Sequence, residues 1–328
     1  MRRTWVPVLA ATAVALAACG GGEEAASGGS GGGADGSNGD EVREVTVGLL
    51  PVAVTGALFA GIDQGFFEER GIELTVETGQ GGAALIPAVM SGQMQFATSN
   101  PVSLLQAREE GLDLRVVAHW TSTIAEGEDV NGVVAAADSG IASAADLAGK
   151  RVAVNTLNGM GQLTIDEAVR QDGGDPSGIQ YVELPFPDMP AALDAGNVDA
   201  VWVPEPFLTQ LIDAGNVVAS YSSQESVPGH PTQLFFTSGQ LVESDPELVE
   251  DMTAALEDTL EYADANPDEV RAQAEEFLGT PAGALAEVRI EEFGTDLRRE
   301  QIEQMGELMV EAGLLDEAAD VEGLLPAE

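Results

Sequence analysis

The chain has 328 residues and carries 56 acids against 13 bases, a formal net charge of −43. A surface of that sign repels nucleic-acid phosphates and anionic headgroups, which argues against nucleic-acid binding and polybasic membrane docking. One cysteine and two histidines argue against a disulfide or a zinc site and leave only a carboxylate-bound calcium open; no metal and no cofactor are expected.

In chain order, basic Arg2 and Arg3 precede an apolar stretch from Trp5 to Ala18, the layout of an export signal. At about 14 residues the stretch is too short to span a bilayer. Its end, Leu16-Ala17-Ala18-Cys19, resembles the lipobox of bacterial lipoproteins. That resemblance implies acylation of Cys19 and a lipid anchor on the outer face of the cell membrane. Residues 20–40 are mainly Gly, Ser and Ala, a composition too poor in apolar surface to order, and are expected to form a leash. The acid surplus of the remainder is expected to reflect a salty environment, where screening relieves self-repulsion.

From Glu44 short β-rich runs alternate with helical ones. Strands are expected at Val45 to Leu50, Ile72 to Thr78, Gln95 to Thr98 and Leu114 to Thr121, with helices at Ala57 to Arg70, Ala83 to Ser91 and Val102 to Glu110. A polar stretch over 122–131 interrupts this rhythm, and a second series follows. Its strands are Val133 to Ala137, Arg151 to Asn155, Ile179 to Leu184, Ala200 to Val203 and Val217 to Tyr221. Its helices are Ser143 to Leu147, Leu163 to Gln171, Pro190 to Ala195 and Phe207 to Ala214. After an irregular stretch, Ser222 to Pro231, a strand at Thr232 to Thr237 leads into a remainder expected to be helical. There Leu248, Met252, Leu256 and Leu260 form a core-facing stripe.

The expectation is an α/β fold of two lobes, each a mainly parallel sheet flanked by helices. Lobe 1 comprises 41–128 plus 232–328, and lobe 2, residues 129–231, is inserted into it through a hinge of two crossings.

Catalytic equipment is missing. His119 and His230 have no cysteine partner, no His-Glu-x-x-His spacing occurs and no Gly-x-Ser-x-Gly elbow follows a strand, so no enzyme is expected. The strand-to-helix turns Gly79-Gln80-Gly81-Gly82 and Asn158-Gly159-Met160-Gly161 superficially match a dinucleotide fingerprint, but no acid stands about 20 residues past Gly81. Such turns offer backbone N–H groups at helix N-termini, and Thr98-Ser99-Asn100-Pro101 adds a third helix start. At the carboxyl ends of strands, they line facing rims of a cleft that can close.

Several motifs carry a resemblance: Gly149-Lys150-Arg151-Val152-Ala153-Val154-Asn155, Val182-Glu183-Leu184-Pro185, Gly196-Asn197-Val198-Asp199-Ala200 and Trp202-Val203-Pro204-Glu205-Pro206-Phe207. With Val47-Gly48-Leu49-Leu50-Pro51 and Gln95-Phe96-Ala97-Thr98-Ser99, they resemble solute-binding proteins of the nitrate, aliphatic sulfonate, taurine and thiamine-pyrimidine-precursor group, across about residues 44–320. The resemblance implies the two-lobe type II periplasmic-binding-protein fold, closure of a monomer on a small solute, and delivery to the transmembrane subunits of an ABC permease. It specifies the family and not the ligand.

The candidate ligand-binding residues are Thr55, Gly81, Gly82, Ser99, Asn100, Trp120, Asn155, Asn158, Gly159, Met160, Asp188, Glu205 and Phe207. The turns expected to face the cleft contain no Lys or Arg, while Asp188 and Glu205 offer acceptors and Trp120, Phe186 and Phe207 offer flat faces. This composition leans toward a pyrimidine or other amine-bearing solute over a sulfonate, taurine or nitrate. Two further readings are disfavoured. A pyrimidine-precursor-synthesising enzyme of the related fungal type would need a cysteine motif absent after Cys19, and a surface scaffold leaves the paired glycine turns unexplained.

Overall fold

The computed structural model describes residues 42–326, so the expected signal, Cys19 and the leash lie outside the described residues. The first series runs β1 (Arg43–Leu49), α1 (Gly56–Gln64), β2 (Ile72–Thr78), α2 (Gly82–Met90), β3 (Phe96–Ser99), α3 (Pro101–Glu109) and β4 (Leu114–Ser122). The second begins with β5 (Asn131–Ala135), β6 (Arg151–Val154), α4 (Met160–Gln171), β7 (Gln180–Glu183) and α5 (Met189–Asp194). It continues through β8 (Ala200–Pro204), α6 (Phe207–Asp213), β9 (Val217–Ser220) and α7 (Ser222–Ser226). The chain then returns through β10 (Pro231–Ser238), α8 (Gly239–Ser244), α9 (Pro246–Ala265) and α10 (Pro267–Leu278). It ends in β11 (Glu292–Phe293), α11 (Arg299–Glu311) and α12 (Val321–Leu324).

These elements build two sheets, in the orders β11-β4-β10-β3-β1-β2 and β7-β6-β8-β5-β9. Leaving β11 aside, both sheets follow one plan: second, first, third, crossing strand, fourth. β10 and β5, the first strands after each crossing, enter the opposite sheet antiparallel between its third and fourth strands. The parallel pairing expected from βαβ units therefore holds for β1 with β2 and β3, and for β6 with β7 and β8, and gives way where the crossings enter. Interior strands β5 and β8 are buried on both faces, whereas edge strand β2 alternates.

Local chemistry sets several boundaries. Asn100 and Asp245 accept from the N–H groups of Ser103 and Leu248, capping α3 and α9 with Pro in the first turn of each. The stripe Leu248, Met252, Leu256 and Leu260 is buried in the core.

Four local expectations need correction. The helix expected over Ala57 to Arg70 stops at Gln64, because Gly65 turns left-handed at φ 86°, and a separate 3-10 turn covers Glu68–Arg70. The helix expected at Ser143 to Leu147 is a 3-10 turn, Ala144–Leu147. The stretch expected to be irregular after β9 contains α7. The C-terminal remainder is not uniformly helical: Gly279 ends α10 at φ 67°, Pro281 follows, and 279–298 run irregularly apart from β11, which pairs with β4. No helix among the described residues is long and apolar enough to cross a membrane.

Candidate functional site

The carboxyl ends of parallel strands from both sheets, with the amino ends of the crossing strands β5 and β10, meet around a cavity of about 40 Å³. The first sheet's side supplies Leu50 and Val52 after β1, Gly82 at the start of α2, Ser99 and Asn100 at the end of β3, and Thr232 and Gln233 of β10. The second contributes Asn131, Asn155, Met160, Phe186, Trp202 and Pro204, and Glu291 enters from the irregular C-terminal segment.

The two rims touch. Gln106 Nε2 donates to the Asn158 carbonyl at 3.0 Å, and the Ala53 N–H donates to the Glu205 carbonyl at 3.2 Å. Gly81 lies against the opposite rim: a Cβ built there would sit 2.9 Å from both Asn155 Nδ2 and Thr156 Oγ1. Its backbone is extended, at φ −175°, so close approach rather than conformation calls for glycine. A Cβ on Gly82 would lie 2.2 Å from Ser99 Oγ, so this glycine lets the start of α2 pack onto the end of β3.

Three polar groups on the wall are nearly fully buried without a hydrogen-bond partner: Ser99 Oγ, Asn131 Nδ2 and Trp202 Nε1. Each carries N–H or O–H bonds, and a buried donor left unpaired costs about 1–3 kcal/mol. The Trp202 ring also packs at 5.8 Å from Phe186, which stacks on Phe207 at 6.4 Å.

Among the described residues Glu291 is the only ionisable one in this lining. It accepts a hydrogen bond from Thr232 Oγ1, which lies 2.7 Å from Thr121 Oγ1. Burial pushes its carboxyl up to about 7, and the neighbouring Asp129 and Glu205 charges act in the same direction. Asp129 is itself pushed up to about 6 by burial, with one oxygen accepting from the Ile124 N–H at 3.0 Å. Arg289, two residues before Glu291, pairs with Glu128 and stands 3.9 Å from Glu205. Among the described residues no group of three or more His, Cys, Asp or Glu is arranged to hold a metal ion.

The structure brings Gly82, Ser99, Asn100, Asn155 and Met160 to the cavity, with Gly81 and Gly159 on the turns that frame it. Other candidates have different surroundings. Trp120 is 1% exposed and packs edge-on against Phe235 and Phe293 in the first lobe's core, so it does not flank this cavity. Thr55 donates to the Leu50 carbonyl at 2.6 Å and braces its turn. Asn158, at φ 54°, shapes the α4 turn while its carbonyl meets Gln106. Asp188 is exposed, Phe207 reaches the cavity wall only through Phe186, and Glu205 accepts from the N–H and hydroxyl of Thr209, holding the first turn of α6. His119 lies 2.8 Å from both the Gly294 carbonyl and Ser122 Oγ; burial lowers it to about 4, leaving it neutral and satisfied.

Sequence reasoning missed Asn131, Thr232, Gln233 and Glu291, and left Trp202 out of the candidates in favour of Trp120. The first three sit on or beside the crossing strands, whose entry into the other sheet is a long-range event, and Glu291 lies in a segment read as helix.

A larger cavity of about 580 Å³ lies in the first lobe among β4, α9 and the C-terminal residues. Its walls contain none of the buried unpartnered polar atoms, so the smaller cavity is the better candidate for a polar solute.

Comparison with known proteins agrees with this fold. The profile of the family described as "NMT1/THI5 like" matches residues 53–270. No curated protein sequence matches the chain. Among solved structures, the alkanesulfonate-binding protein SsuA from Xanthomonas axonopodis pv. citri bound to MOPS is similar at TM-score 0.73 and 17% identity, covering 86% of this chain and 98% of that one. The periplasmic aliphatic sulphonate binding protein SsuA from Escherichia coli is similar at TM-score 0.68 and 18% identity, over 85% and 96% of the two chains. The periplasmic nitrate-binding protein NrtA from Synechocystis PCC 6803 is similar at TM-score 0.72 and 14% identity, over 87% and 86%. At these identities the likeness establishes the fold, and the family profile establishes membership: the chain belongs to the NMT1/THI5-like family and folds as a two-lobe periplasmic-type binding protein.

Proposed function

We propose that the chain is the extracytoplasmic substrate-binding component of an ABC importer, held at the outer face of the cell membrane through Cys19 and working as a monomer without catalysis. Residues 129–231 act as the lobe that closes on a small solute, and the closed form docks on the transmembrane subunits of a permease. The observation that carries this reading is the convergence of Ser99 Oγ, Asn131 Nδ2 and Trp202 Nε1, buried and unpaired, on one cavity between two hinged sheets. The sulfonates and nitrate bound by the similar proteins support a small polar solute; the acid in this chain's wall favours an amine-bearing one, including pyrimidines.

Thermal unfolding of the purified chain against aminopyrimidines, taurine, alkanesulfonates and nitrate tests the reading. A ligand at about 100 times its dissociation constant stabilises the fold by about 2.7 kcal/mol, a shift of a few degrees. No shift with any of these solutes would argue against a receptor for this solute range. For the anchor, fatty-acid labelling should be lost in Cys19→Ala; labelling that persists would place the lipid elsewhere.

A further inference from the structure

We infer that Glu291 is the specificity-determining residue of this cavity, selecting solutes that present an N–H donor to its carboxyl and an acceptor to Ser99, Asn131 and Trp202. The inference rests on the cavity being the solute site. One part of the wall offers donors: the indole N–H, the amide and the hydroxyl have no protein acceptor. Glu291 supplies an acid, and the lining contains no Lys or Arg. Arg289, the cation closest in sequence, lies outside the lining; it pairs with Glu128 and stands 3.9 Å from Glu205, with its Nη1 buried and without a hydrogen-bond partner. Around Glu291 stand Asp129 and Glu205, both acids, and the hydroxyls of Thr121 and Thr232. A plain anion buried here gains hydrogen bonds from the donor groups but meets an acid and no countercharge in the lining itself. A solute with an acceptor at one end and an amine at the other satisfies both parts.

The carboxyl's position near neutrality adds a signature. An amine favours the ionised acid, so capture releases a proton and affinity rises with pH through about 7. With Gln at this position the Thr232 contact is retained while the charge is lost.

The test measures matched pairs by calorimetry: taurine against ethanesulfonate, and 4-aminopyrimidine against 4-methylpyrimidine, with nitrate as the plain anion. We expect at least one amine-bearing probe to bind on the order of 100-fold tighter than its partner, a gap within reach of a buried acid that the amine-free partner leaves without the solute's donor. In Glu291→Gln the gap should shrink to a few-fold, and the roughly ten-fold rise in affinity from pH 5.5 to 7.5 should flatten. Glu291→Asp, which keeps the acid, should retain the preference. Should Glu291→Gln fail to fold, the pH dependence and the Asp variant decide. Equal binding by the amine-free partners, or tight nitrate binding, overturns the inference and leaves the receptor reading intact. The absence of binding by every probe overturns both.

Discussion

Trp202 combines two roles that one substitution separates. Its ring belongs to the stack with Phe186, while its N–H is buried without an acceptor. Trp202→Phe removes only the N–H donor and part of the ring. Solute affinity is expected to fall by about ten-fold, the worth of one hydrogen bond, with the melting temperature nearly unchanged because no protein hydrogen bond is lost. Calorimetry paired with thermal melts checks this, and unchanged affinity would remove the indole from the site. Asn100→Ala acts on the fold as well as on the cavity wall: losing the cap over Ser103 costs about 1 kcal/mol of stability, read from denaturant unfolding. At this scale the sequence disclosed helix caps and tight turns, because such chemistry is local. It could not show which face a strand-end side chain takes, so Trp120 and Trp202 look alike as aromatics at strand ends. Only packing separates them, Trp120 against Phe235 and Phe293 and Trp202 against Phe186.

The turns between strands and helices do most to position the site, and Gly81 is a point where turns of the two sheets lie close together. Adding one methyl brings it to 2.9 Å from Asn155 Nδ2 and Thr156 Oγ1, so Gly81→Ala should hold the lobes apart by a few tenths of an ångström. The predicted result is weaker solute binding, on the order of ten-fold, because the added methyl opposes the contact between the lobes. Equal affinity for the variant would mean that Asn155 and Thr156 move aside at little cost. The alternation that fixed these turns was readable, since strand and helix periods differ and glycines mark the ends. The segment from Gly279 to Arg298 was not. Its acids and alanines resemble the helices around it, and only Gly279, Pro281 and the β11–β4 pairing stop them from continuing. That misreading concealed both Glu291 and Arg289, and with them the only acid of the cavity.

Across the whole molecule, scarce cations are spent as fasteners in an acidic surface. Every arginine among the described residues is in an ion pair; Arg43–Asp251 and Arg70–Asp258 tie β1 and the 3-10 turn before β2 to α9, and Arg108–Asp320 ties α3 to the C-terminal turn. Such exposed pairs are worth about 0–1 kcal/mol each, less than the repulsion that a net charge of −43 implies at low salt. Melting temperature should therefore rise between low and molar salt; a flat response would count against the acid surplus as an adaptation to salt. The buried groups set a separate pH dependence. Glu291 and Asp129 hold protons up to about 7 and 6, and burial raises Glu205 too, whereas the unfolded chain would release these protons near its ordinary carboxylate values. The folded state then binds more protons than the unfolded one, and stability falls as pH rises through that window. His119 and His230, both held down to about 4 by burial, work in the opposite sense: between about 4 and 6.5 the unfolded chain takes up protons that the folded one refuses, and stability rises with pH. The two trends oppose one another up to about pH 6.5, above which only the carboxyls remain, Glu291 foremost. A melting profile should thus be nearly level in mild acid and decline from about pH 6 to 7.5. Glu291→Gln should remove that decline, matching the parent at about pH 5 and exceeding it by a few degrees at about pH 8, since the parent must then hold a buried charge beside Asp129 and Glu205. A variant that declines like the parent would assign the titration to another group and leave Glu291 ionised in the closed cavity.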